Sequence, residues 1–216
     1  MSESALGEAA GGRPDLTAAG RSCGACSLCC TVLRVDELSK LGGAPCVHQR
    51  ATGGCAIHAT RPDVCRAYRC LWLRGAFGED DRPDELGAVV DFTPEGAGIR
   101  LTIEEAIPGS FDASGRLRAI AAEYRGTMPV RVACAERVMD PDRPYRLLLP
   151  DGSDRRVAGD WIEILEDGVA VSRRRMPRFA RLLRRLRARI QARRLRRYSP
   201  GGAASPRSPD GARHRR

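Results

Sequence analysis

The chain has 216 residues, of which 42% are hydrophobic, 30% charged and only 5% aromatic, with 23 Gly, 14 Pro and 9 Cys. That length fits one ordinary domain with tails, and no apolar run approaches the roughly 18 residues of a membrane-spanning helix. The formal charge of +10 divides unevenly. Ser172 to Arg216 hold 17 Arg against the single acid Asp210, whereas the preceding residues hold 20 basic and 26 acidic side chains. The body is acidic, which excludes reading the whole chain as a nucleic-acid-binding fold.

Residues 1–21 are small and polar, and they read as a disordered leader. They lack a basic stretch followed by an apolar one, so no secretory signal is expected and the setting implied is the reducing cytoplasm. Residues 22–77 carry eight of the nine cysteines but few bulky side chains. Such a segment cannot easily bury a core of its own and needs cross-links or metal. After an acidic joint at 78–85, the β-branched runs 86–92 and 98–106 predict a hairpin around TPEGA. A short helix is expected over 117–124, and further strands over 130–138 and 145–150, with turns at DPDRP and DGSD. Pro177 then opens a helix reaching about Arg197, stopped by Ser199-Pro200-Gly201-Gly202. The expected fold class is α+β. A metal-stabilised cysteine module (22–77) packs on a small α+β unit (78–171), a basic amphipathic helix (172–198) follows, and 199–216 form a disordered tail.

The chemistry lies in Cys23, Cys26, Cys29, Cys30, Cys46, Cys55, Cys65 and Cys70. A C-x2-C pair brings two thiolates to one ion from a tight turn, and on a helix 23, 26 and 30 also share a face. Unmetallated, four clustered thiols are oxidation-prone, and as thiolates they are costly to bury without a cation. Cys65 and Cys70 are five apart, so they serve one ion only if the helix expected after Pro62 breaks before Cys70. Eight cysteines fit two zinc sites of four thiolates each, while the C-x2-C-x2-C spacing of 23, 26 and 29 also fits three corners of an iron–sulfur cluster. The cofactor is thus zinc or an iron–sulfur cluster. Disulfides are the competing reading, disfavoured by the adjacent Cys29 and Cys30. His48 and His58 are further candidate ligands or exposed residues. Arg61, Arg66 and Arg69 either offset thiolate charge or are ordinary surface residues. Cys134, in an apolar run, reads as a buried core thiol.

These residues resemble the YkgJ-like cysteine-cluster family, which is described as zinc- or iron-chelating and carries a CxxCxxCC signature. The resemblance rests on CGACSLCC (23–30), Cys46 with His48, GGCAI (53–57) and RPDVCRAYRCLWL (61–73), about a quarter of the chain. It implies metal chelation and says nothing about 78–216. The family usually has Tyr at the place of His58, so a nitrogen ligand there is not inherited. Some relatives are associated with flagellin lysine methylation, but no glycine-rich nucleotide loop is present to support that activity.

Met176, Phe179, Leu183, Leu186 and Ile190 form an apolar stripe on the arginine-rich helix. The stripe either docks on the acidic α+β unit or serves a partner: an anionic membrane surface, nucleic acid or another protein. No Ser/His/Asp set, P-loop or paired-carboxylate motif is present, so no catalytic residue is named and an enzyme is not expected. The functional expectation is a metal-binding protein. A redox-active iron–sulfur protein passing electrons, and an adaptor recruited by its basic helix, are the alternatives.

Overall fold

The computed structural model describes residues 17–135, 143–166 and 168–197. The tail expected over 199–216 and most of the leader lie outside the described residues. Residues 17–21, the end of that leader, run along the segment 72–77. Ala18 N–H donates to the Leu73 carbonyl at 2.8 Å, and Arg21 donates to the Phe77 carbonyl at 2.6 Å while lying over the Trp72 ring at 5.1 Å.

Among the described residues the architecture is mixed, with helices and a seven-stranded sheet. The cysteine-rich segment contributes two short α-helices, α1 (Leu28–Val32) and α2 (Asp63–Ala67), and two 3-10 turns at Asp36–Leu38 and His58–Thr60. After α3 (Pro83–Leu86) come β1 (Ala88–Glu95) and β2 (Gly98–Glu105). This is the expected hairpin, but TPE continues the first strand and the reversal is confined to Gly96 and Ala97, with Gly96 at φ +59°. Pro94 is tolerated because β1 is an edge strand.

The helices α4 (Ser110–Ala113) and α5 (Gly115–Arg125) then cross to β3 (Val130–Cys134), which pairs parallel to β2. A parallel pair needs such a crossover, whereas antiparallel neighbours need only turns. The Ser114 side chain caps α5 by accepting from Leu117 N–H at 3.1 Å. β4 (Tyr145–Leu148), β5 (Asp154–Ala158), β6 (Trp161–Glu166) and β7 (Val169–Arg175) complete an antiparallel meander, in the order β1 to β7. Only β3 and β4 of these five strands match sequence expectations; β3 ends at Cys134, and residues 136–138 of the expected strand lie outside the described residues. Helix α6 (Arg178–Arg197) follows directly on Pro177, as expected.

Both faces of β1 are covered, which is why Ala88, Val89 and Val90 are all buried. Phe92 packs edge-on against Tyr124 of α5 at 5.7 Å, while Val89, on the opposite face, looks into the cysteine segment. Val32, Leu71, Trp72 and Leu73 join Leu101, Ile103, Leu117, Ile120 and Val130 in one apolar cluster. Few as its large side chains are, the cysteine segment thus has no separate core and shares that of the sheet.

Candidate metal centre

Three backbone devices gather the cysteines. Cys26 N–H donates to the Cys23 carbonyl at 2.8 Å, so the first C-x2-C pair sits on a turn, and the helix begins only at Leu28. The segment 46–55 then folds against that turn. Cys46 N–H donates to the Cys30 carbonyl at 3.1 Å, and Gln49 bridges Ser27 (2.8 Å) and Thr31 (3.2 Å). Gly53 and Gly54, at φ +87° and +78°, lie directly on the backbone of Gly24 and Ala25. A Cβ at Gly53 would stand 2.3 Å from the Ala25 carbonyl oxygen, so only glycine allows Cys55 to approach this closely. Finally, α2 ends at Ala67 and Tyr68 is extended (ψ 130°). The break before Cys70, which the five-residue spacing requires, is present.

All eight cysteines, from Cys23 to Cys70, line one cavity of about 330 Å³, together with His48 and His58. None of the nine cysteines is paired in a disulfide. Cys134 stands apart on β3, half-buried rather than enclosed as expected. The remaining wall is apolar, with Leu33, Val35, Ile57, Leu73 and Val89 among its members. Among the described residues, no three His, Cys, Asp or Glu side chains form a ready-made ligand shell. The fold brings the thiols to one cavity without drawing them onto one point.

The electrostatics follow from burial and crowding. Burial pushes the thiols of Cys23, Cys65 and Cys70 up, and that of Cys26 up to about 11. A hydrogen bond between the neighbouring Cys29 and Cys30 side chains raises Cys29 and lowers Cys30 to about 7, with Lys40 and Arg61 assisting the latter. The charges of Cys30, Cys46 and Cys55 raise Cys65 further, so each of them lies within electrostatic reach of Cys65.

Three cations stand near the thiols. Arg61 lines the cavity and donates to the His58 carbonyl at 3.2 Å; with Arg69 it lowers the Cys23 thiol against the effect of burial. Arg66 instead pairs with Asp63 on the surface, as an ordinary solvated residue would. Sequence reasoning missed Lys40. It is buried in the cavity wall, and its ammonium donates to the carbonyls of Thr31 (2.8 Å) and Leu33. Burial lowers its pKa, while the charges of Cys46, Cys30, Cys29 and Cys65 oppose that shift. The available signal was compositional: Lys40 is the only lysine among 37 basic residues. His58 is exposed, and burial with Arg61 and Arg69 lowers its pKa.

Soft sulfur donors in a partly apolar cavity, flanked by cations that offset thiolate charge, match a thiophilic metal better than a hard cation. No family model, curated protein or solved structure matches the chain.

Proposed function

We propose that this protein binds zinc or an iron–sulfur cluster through Cys23, Cys26, Cys29, Cys30, Cys46, Cys55, Cys65 and Cys70. The observation that carries this reading is the shared cavity: eight unpaired thiols from four separate stretches of chain face a single space. Crowded thiols of raised pKa have no structural merit by themselves, whereas a cation that displaces their protons converts the crowding into bonds. The resemblance to the YkgJ-like cysteine-cluster family supports the same reading from the sequence side. When bound, the metal supplies cross-linking of the turns that hold the cysteines. The chain supplies the donors, the glycine-dependent approach of Cys55 to the 23–26 turn, and cationic neighbours that stabilise a thiolate-rich centre.

Elemental analysis with an absorption spectrum, on protein purified without air, tests this. Bound zinc, or iron with acid-labile sulfide, is expected, and Cys26→Ser and Cys65→Ser each reduce the metal content. A chelator is expected to lower the stability of the 22–77 segment. Metal-free protein with wild-type stability in both variants overturns the reading.

A further inference from the structure

Helix α6 meets the rest of the chain with its arginines and turns its apolar stripe away. Arg184 donates to the Gly159 carbonyl at 2.6 Å, and Asp160 receives Arg181 at 3.5 Å and Arg185 at 3.7 Å. Asp160 also pairs with Arg175, just before the helix, at 3.7 Å. At about 100° per residue, Arg181, Arg184 and Arg185 share one side, while Phe179, Leu182, Leu183, Leu186 and Ile190 share the opposite one. Those five apolar residues are 70%, 63%, 37%, 51% and 44% exposed, respectively. A helix on a globular protein ordinarily buries this face; here the orientation is reversed. Docking of the stripe on the α+β unit is therefore not what the chain does.

The edges of the stripe identify what covers it. On the same projection the exposed Arg178 and Arg189 border one edge and the exposed Arg187 the other, and α6 contains no acid. We propose that α6 lies on anionic lipid bilayers, with its stripe in the headgroup boundary and the bordering arginines on the acidic headgroups. A second copy packed stripe on stripe would bring arginine borders together with no carboxylate on either helix to offset them. Nucleic acid would satisfy the arginines and leave the stripe in water.

The test uses the full chain and vesicles of phosphatidylcholine, with or without phosphatidylserine. Co-sedimentation with the phosphatidylserine vesicles only, weakened by salt, is expected. The double variant Phe179→Ala/Leu186→Ala should bind at least about tenfold more weakly. Because both side chains are exposed, its far-UV circular dichroism should match the wild type. Undiminished vesicle binding by the double variant, or no vesicle binding by the wild type, overturns the proposal. So does salt-sensitive duplex binding without vesicle binding, which would assign the helix to nucleic acid. A concentration-dependent dimer lost in the double variant would assign the stripe to a second copy and equally overturn it.

Discussion

At Gly53 a single hydrogen atom decides whether two loops can touch. Its φ of +87° already disfavours any other residue, and the Ala25 carbonyl occupies the place of a side chain. Gly53→Ala is therefore expected to destabilise the protein by at least about 1–2 kcal/mol from the left-handed backbone alone. The close contact adds to that, and urea denaturation measures the total. An unchanged midpoint would mean that the loop can move away from the turn. The sequence motif GGC made this position visible, but not its reason, because a glycine's neighbour across space is not written beside it. The same holds for Lys40. Its place in the cavity wall depends on the turn at Ser39, which adopts φ +50°, and on an isolated antiparallel bridge between Val35 and Lys40.

Among the elements, the turn at 79–81 is fastened to α5 by one carboxylate. Asp81 accepts from Arg116 at 2.7 and 2.6 Å and from Gly78 N–H at 2.9 Å, and it is almost fully buried. Loss of these charge-assisted bonds in Asp81→Asn is expected to cost about 1.5–3 kcal/mol. The pH dependence has a definite sign. The Arg116 hydrogen bond holds Asp81 below the ordinary value of 3.8. The stabilisation is therefore complete above that value and is lost as pH falls through the lower folded-state value. Urea midpoints measured downward from neutral pH should fall less steeply at the acid end for Asp81→Asn than for wild type; parallel curves would refute this. The elements most legible from sequence were those with clean periodicity: the first hairpin, α5 and α6. β5 (DRRVA) and β7 (VAVSRRR) were missed because their runs of arginine interrupt the apolar alternation. The turn signal Gly159-Asp160, two residues between β5 and β6, was the available clue. In α6 the period told which residues share a face, while the choice of docked face depended on Gly159 and Asp160, which lie outside the helix.

On the scale of the whole molecule, the cysteine segment and the sheet are not separate bodies. Leu71 is among the most deeply buried side chains and touches solvent scarcely at all. It stands next to Cys70, and its N–H reaches the Val90 carbonyl of β1 at 3.4 Å. Leu71→Ala is expected to cost about 2–5 kcal/mol. Because the core is shared, unfolding followed by Trp72 fluorescence and by circular dichroism should shift together. Separate transitions would show that the cysteine segment folds independently. Composition showed that the segment is short of large apolar residues, but not that the few present are placed in the core of the sheet.

The last strand carries a consequence of a different kind. Among the described residues β7 has no strand beyond it in the sheet, and all seven of its residues are exposed, including Val169 and Val171. An open strand bearing two valines is a template on which another chain could add its own strand and begin aggregation. Arg173, Arg174 and Arg175 form the end of the same strand, so two copies pairing edge to edge in parallel would set arginine against arginine. The charge that would oppose such pairing belongs to the same basic run that the composition first isolated, and its repulsion is expected whether or not the helix beyond it is engaged.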